Sequence, residues 1–371
     1  MNTHRLQGNI LTPQGWVFGD LHFNARLVRV SGVPADPAHN DAPCILPGFI
    51  DLHVHGGGGH DVMQGGDAAH TIARTHTRHG TTSWLATTMT APPDEIEQAL
   101  MAVGKAAHAR RPGTARLLGV HLEGPYLNAG KLGAQPDCAQ TGTLAQVQRW
   151  NALATIRVVT LAPEVPGHLA LVSALCQLGM RVQMGHTLGS FEDGVAALAE
   201  GASSFTHLFN AMSGLHHREP GMVGAALAHA QFAELIPDLL HVHSGAIQVA
   251  LRAIPKLYCV TDATAATGMP DGAYLLGRQT VHKCLGGVRL ADGTLAGSTL
   301  TMDQALRNLV GLGLSLAEAS RRVSTHAADY LGLAERGRIT PGCHADLVVL
   351  DRQLQITHVY VEGEACELKD A

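Results

Sequence analysis

The sequence predicts an α/β fold: a parallel (β/α)8 barrel of the TIM type, with a small β-sandwich domain formed by both chain termini. Three observations predict it. Eight apolar or β-branched runs alternate with helical patterns between residues 44 and 262. Residues able to do chemistry fall at the C-terminal ends of those runs, where a barrel gathers its active site. Both ends of the chain read as short strands joined by polar turns.

In order, the amino end supplies NIL, GWVFG and DLHFNARLVRV, then the Pro- and Asp-rich VPADPAHNDAP. The carboxyl end supplies ADLVVLD and ITHVYVEGE. Residues 1–44 and 335–371 are therefore assigned to the small β domain, and 45–334 to the barrel. The barrel runs are CILPGFIDLHVH (44–55), TTSWLATT (81–88), RLLGVHLE (116–123), IRVVTLAP (156–163), RVQMGH (181–186), SSFTHLF (203–209), ELIPDLLH (234–241) and LYCVTD (257–262). Helical patterns between them include 67–79, PPDEIEQALMAVGKAAHARR, LALVSALCQLG, EDGVAALAEG and AIQVALRAI. The stretch 265–300 breaks the alternation and reads as turns and hairpins over the barrel mouth.

Composition removes several classes. With 46% hydrophobic residues in 371, the chain is not disordered. A net charge of -5 argues against nucleic acid and against a polybasic membrane surface as partners. The N-terminus lacks the apolar core of a signal peptide. The most apolar helical stretch, near Val223–Leu240, is interrupted by His229, Gln231, Glu234 and Asp238, so no membrane span is expected. Seven cysteines without a CxxC pair read as reduced thiols, not as a disulfide or zinc-ribbon framework. A soluble cytoplasmic protein is expected. The chain has 23 histidines against 15 aromatic residues, but only position can say which of them matter.

Strand one ends in Asp51, His53 and His55, strand three in His121 and Glu123, strand five in His186 and strand six in His207. Strand seven ends in His241 and strand eight in Asp262. Residues two apart on a strand share a face, so His53 and His55 both reach the mouth. Glu123, His186 and His207 supply three nitrogen and oxygen ligands and leave a position for water. That donor set suits Zn²⁺, or another first-row divalent ion such as Fe²⁺. His121 is read as a residue behind the ligands.

Here the motifs match a family. PGFIDLHVHGGGG (47–59), HLEGPYLN (121–128), GHT (185–187), THLFNAM (206–212), REPG (218–221), VTDAT (260–264) and LAGSTLTM (295–302) resemble, in order, those of the N-acetylglucosamine-6-phosphate deacetylases of the amidohydrolase superfamily. GRITPGCHADLVVLD resembles the sheet domain that closes many amidohydrolases. The resemblance implies that Glu123, His186 and His207 bind the main ion and that Asp262 is the catalytic carboxylate. It implies substrate contacts at Asn210, Ala211, Arg218, His241 and Leu295-Ala296-Gly297, with Arg218 and His241 toward the phosphate. Some members replace the HxH pair and hold one ion. His53 and His55 are present here, so one or two ions per subunit are expected, the second sharing Glu123. The family typically carries a substrate-contacting His in a GAH-like motif where this chain reads Gly133-Ala134-Gln135. Ala134 and Gln135 are assigned to the substrate, but Gln135 carries neither proton nor charge. The resemblance also implies a homodimer.

Two motifs mislead. The run Gly56–Gly59 follows a strand but lacks the GxxxxGK[ST] pattern of a phosphate loop. Ser298 has no G-x-S-x-G elbow. The expected reaction is hydrolysis of the N-acetyl group of N-acetylglucosamine 6-phosphate, or of a related sugar such as N-acetylgalactosamine 6-phosphate. The competing expectations are a cyclic-amide hydrolase and an inactive barrel scaffold. The first would need a carboxylated Lys on strand four, and IRVVTLAP has none.

Overall fold

The computed structural model describes residues 3–368; residues 1–2 and 369–371, at the outer ends of the two small-domain ranges, lie outside the described residues. Six parallel strands follow one another around a sheet: Phe49–Val54, Thr81–Thr87, Arg116–Glu123, Ile156–Leu161, Arg181–Met184 and Ser204–Phe205. Phe232–Leu235 and Lys256–Cys259 form a parallel pair. Two seams complete the ring of eight. Leu208 N donates to Glu234 O at 2.8 Å, and Asp262 N donates to His53 O at 2.9 Å. A parallel bridge between Val54 and Ala263 lies beside the second seam.

Helices cover the outside. In Pro93–His108, proline sits in the first turn, Asp94 and Glu95 face the positive end, and Lys105 and His108 face the negative end. Ile96, Leu100 and Val103 recur at helical spacing and are buried. Leu144–Leu153 is a helix that the apolar pattern does not reveal. It buries only Val147 and Trp150, and Thr143 starts it by accepting from Gln146 N.

Several strands are shorter than expected, for local reasons. The run 44–55 breaks at Pro47-Gly48: Cys44–Pro47 pairs with the small sheet and Phe49–Val54 with the barrel. Strand seven ends at Leu235, because Pro237 has no N–H for the ladder and Asp238 Oδ1 turns the chain by accepting from Leu240 N and His241 N. His241 therefore sits on a loop rather than at the strand end. Strands six and eight likewise stop at Phe205 and Cys259, ahead of His207 and Asp262.

The termini meet in one seven-stranded sheet, ordered Glu364–Ala365, Ile356–Val361, Leu347–Leu350, Cys44–Pro47, His4–Thr12, Gly15–Phe23, Leu27–Pro34. It curls until its halves face one another. Leu27 N donates to Cys343 O at 2.9 Å, and the rings of Phe23 and Tyr360 meet edge-on at 5.1 Å. The two layers of the sandwich are thus parts of a continuous sheet, closed over Ile10, Leu21, Ile45 and Leu347. The stretch 265–300 contains a three-stranded antiparallel sheet, Gly272–Leu276, Gln279–Cys284 and Gly287–Arg289. Gly277 N to Asp61 Oδ2 (2.9 Å) and Gln279 Nε2 to Ala134 O (2.7 Å) anchor it at the mouth. Among the described residues no helix is long and apolar enough to cross a membrane, and all seven cysteines are unpaired.

An ion cluster joins the two parts. Arg336 lies between Asp346 and Glu362, and Glu362 also accepts Arg116 Nε and Nη2, at 2.9 and 2.6 Å, from the start of barrel strand three. Arg336 and Asp346 are buried. Removing the guanidinium would leave the buried Asp346 without its cation, while Glu362 keeps Arg116. Arg336→Met should lower stability by about 3–5 kcal/mol in denaturant unfolding, whereas unfolding unchanged from the parent would show that the cluster is not a junction.

Candidate active site

The strand ends converge on the carboxylate of Glu123, which is buried at the end of strand three. Its Oε1 lies 3.2 Å from His186 Nε2 and 3.0 Å from His207 Nε2, and those nitrogens are 3.1 Å apart. Its Oε2 lies 3.2 Å from His55 Nε2 and 3.5 Å from His53 Nε2, which are 3.2 Å apart. One oxygen thus serves each imidazole pair. Asp262 Oδ1 completes the His53/His55 side, at 3.5 and 3.3 Å.

The other ring nitrogens assign the tautomers. His186 Nδ1 donates to Lys131 O at 2.9 Å, His55 Nδ1 to Thr87 O at 3.2 Å, and His53 Nδ1 to Glu234 Oε2 at 2.9 Å. Their Nε2 lone pairs therefore point at the neighbouring imidazole and at Glu123. Two bare nitrogens at such distances repel one another unless a positive charge lies between them. Burial works against charge on His53, yet Glu123, Glu234 and Asp262 raise it well above its ordinary value. His55, equally buried, is pushed up to about 9 by Asp262 and Glu123. Glu123 is held well below the carboxylate range despite burial, by His53, His186 and His207. The cluster calls for cations at its centre, and a divalent ion takes the lone pairs that protons would otherwise occupy. A tetrahedral first-row ion spaces its N and O ligands by roughly 3.3 Å, so the observed separations fit both sets.

Below the Glu123 cluster a hydrogen-bonded chain crosses the barrel. His121 Nε2 meets Thr160 Oγ1 (2.7 Å), which meets Thr206 Oγ1 (2.7 Å). Thr206 donates to Gln183 Oε1 (2.9 Å), and Gln183 Nε2 donates to Glu234 Oε1 (3.1 Å). Glu234 in turn orients His53 and accepts His207 N at 3.1 Å. Both ring nitrogens of His121 are used, on Thr160 and Leu52 O, and burial pushes its pKa down to about 4. It supports the site from behind, as expected. Glu234, Gln183, Thr160 and Thr206 escaped the sequence reading. The apolar run of strand seven starts at Glu234 in the sequence, whereas the strand is Phe232–Leu235, with this acid inside it.

A cavity of about 380 Å³ opens over the cluster. Ala134, Gln135, Asn210, Ala211, His241, Leu295 and Gly297 line it with Asp262. Gly297 sits at φ 62°, where a Cβ would meet Thr264 Cγ2 at 2.6 Å beside Asp262. Asp262 is buried, but His53 and His55 hold its carboxyl down at about 2, so it is ionised. Three expected contacts differ. Arg218 is exposed on a loop and is not among the residues that line the cavity. Ala296 is buried with Met89, Leu276 and Val288 under the mouth sheet, leaving only its neighbours on the cavity wall. Gln135 lines the cavity, yet both ends of its amide are engaged by protein: Oε1 accepts Thr90 N and Nε2 donates to Glu123 Oε2, each at 2.7 Å. Lys131, which the sequence reading passed over, also lines the wall.

A parallel barrel that presents two imidazole pairs sharing one carboxylate at its C-terminal mouth defines a metal-dependent hydrolase of the amidohydrolase type. The amidohydrolase family model matches residues 44–366, and the chain belongs to that family. It is 39% identical, over 98% of its length and 99% of the relative's, to the N-acetylgalactosamine-6-phosphate deacetylase of Escherichia coli O157:H7. It is 40% identical, over 91% of its length and 89% of the relative's, to the N-acetylglucosamine-6-phosphate deacetylase of Lysinibacillus sphaericus. Among solved structures, a variant of the Mycobacterium smegmatis N-acetyl-D-glucosamine-6-phosphate deacetylase in complex with N-acetyl-D-glucosamine-6-phosphate superposes with a TM-score of 0.91 at 33% identity, covering 98% and 99% of the two chains.

His241 supplies a testable charge. Burial opposes its protonation, but Asp238 Oδ2, 2.7 Å from Nδ1, raises its pKa above 6.5. The ion pair's contribution is therefore full below the unfolded-state value and is lost as pH rises through the raised one. In Asp238→Asn, burial and Arg289 oppose the charge and only Asp262 still favours it, so the His241 midpoint followed by NMR should fall below its wild-type value. A midpoint unchanged by the substitution would remove Asp238 as its cause.

Proposed function

We propose that the chain is a Zn²⁺-dependent deacetylase that hydrolyses the N-acetyl group of N-acetylglucosamine 6-phosphate, releasing acetate and glucosamine 6-phosphate. The observation that carries this is Glu123 shared between two imidazole pairs, with the ionised Asp262 beside them on the wall of the cavity. Glu123, His186 and His207 would hold the principal ion, and His53 and His55 a second one that shares Glu123. The bound metal would polarise the amide carbonyl and acidify a water. Asp262 accepts a proton as the water oxygen bonds to the acetyl carbon, and returns it to the nitrogen as the C–N bond breaks. His241 and Lys131 line the cavity, and they would orient the substrate through its phosphate. Asn210, Ala211, Ala134 and the Leu295–Gly297 backbone would shape the sugar site. The enzyme is placed in the cytoplasm, where thiols stay reduced, and the resemblance adds a homodimer.

A second reading, N-acetylgalactosamine 6-phosphate as the preferred substrate, is favoured by the near full-length match to a deacetylase of that name. Acetate release should be measured on the 6-phosphates of N-acetylglucosamine, N-acetylgalactosamine and N-acetylmannosamine, and on the unphosphorylated sugars. The gluco phosphate should have the highest kcat/KM; a higher value for the galacto phosphate would select the second reading. Asp262→Asn should lower kcat by roughly 10²–10⁴-fold while the protein keeps its ion. Normal turnover in that variant would remove Asp262 from the proton path.

A further inference from the structure

The family resemblance points Gln135 at the substrate, but its hydrogen bonds point elsewhere. The side chain is buried at the cavity edge. Thr90 N can only donate, so the atom it meets at 2.7 Å must be the amide oxygen. The amide nitrogen must then face Glu123 Oε2, also at 2.7 Å, where a carboxylate can only accept. No other arrangement of the amide satisfies both neighbours. The acceptor is the same carboxylate whose Oε1 faces His186 and His207.

The loop around Gln135 has a second hold on the cluster. Lys131 O accepts His186 Nδ1 at 2.9 Å, and Gln135 N is tied back to Leu132 O at 2.9 Å. The mouth sheet grips the same loop through Gln279 Nε2 and Ala134 O. Residues 131–135 thus orient two members of the Glu123/His186/His207 set. Because an amide is uncharged at every pH, Gln135 offers Glu123 one fixed donor and adds no competing proton.

We propose that Gln135 is the positioning residue for the metal-binding carboxylate: by bridging Thr90 N and Glu123 Oε2, it fixes the plane in which Glu123 presents Oε1 to the ion beside His186 and His207. This rests on those three residues being ligands. The substitution Gln135→Leu removes both halves of the bridge. Gln135→Asn keeps the amide but is one methylene too short to span it. Gln135→His restores one acceptor and one donor in the neutral ring.

The test is Zn²⁺ affinity, by competition with a chromophoric chelator, for wild type and the three variants, together with thermal unfolding of each metal-free protein. Gln135→Leu and Gln135→Asn should bind Zn²⁺ roughly 10–100-fold more weakly, and Gln135→His should recover most of the loss. The metal-free proteins should unfold at similar temperatures. Should Gln135→Leu fail to fold, the Asn and His pair carries the comparison. Wild-type affinity in Gln135→Asn, or a loss seen only as lower metal-free stability, would overturn the positioning role. Failure of the wild type itself to bind Zn²⁺ would instead overturn the ligand assignment on which it rests.

Discussion

The carboxylate of Glu123 is the constraint on which the rest of the site depends. A buried anion is tolerated only when opposite charge and donors surround it. Here four imidazoles and one amide do so, contributed by the end of strand one, by the loop after strand three and by the turns after strands five and six. Each imidazole is aimed by a bond on its far side, to Glu234, Thr87 O or Lys131 O in the three cases where one is present. The hydrogen-bonded chain from His121 to Glu234 spreads that orientation across the barrel interior. Removing its members would loosen angles rather than delete ligands, so their effects belong on metal affinity before catalysis.

The backbone shows where the site was built at the expense of regular structure. His186, His207, Ala211 and Asp262 adopt positive φ, at 49°, 29°, 51° and 51°. For residues with a Cβ, such conformations cost of order 1–3 kcal/mol each, and they persist where surrounding bonds over-determine them. Strands six and eight are correspondingly short, and the chain leaves the ladder early to bring His207 and Asp262 back toward Glu123. The seam bond from Asp262 N to His53 O ties the two residues' backbones together, so closing the barrel also brings Asp262 beside the imidazole pair.

Much of this was legible in the sequence, and what was not has physical reasons. The convergence of His53, His55 and Glu123 was legible because alternation fixes which residues share a strand face and strand ends meet at the barrel mouth. Asp262 was read at the end of strand eight, but its role and the substrate loops came from motif resemblance, since loop conformation leaves no periodic trace. Glu234 was hidden because the apolar run reads as 234–241, whereas the strand is Phe232–Leu235 and Pro237 and the Asp238 turn end it where apolar content continues. Gln135 was misdirected because its family position suggested substrate, whereas its partners are Thr90 and Glu123, 45 and 12 residues away. Arg218 shows the limit of a motif within one chain: the residue matches, but its loop stands away from the cavity. That both termini build the small domain was legible from their strand-like runs, but the order of its single continuous sheet was not, since long-range pairing sets it.

The most direct measurement is anomalous X-ray diffraction at the zinc edge from crystals of the protein reconstituted with Zn²⁺. A peak within bonding distance of Glu123 Oε1, His186 Nε2 and His207 Nε2 is the predicted result. The account would be contradicted by reconstituted crystals with no peak there, in which the same atoms keep their hydrogen-bonded separations of 3.0–3.2 Å.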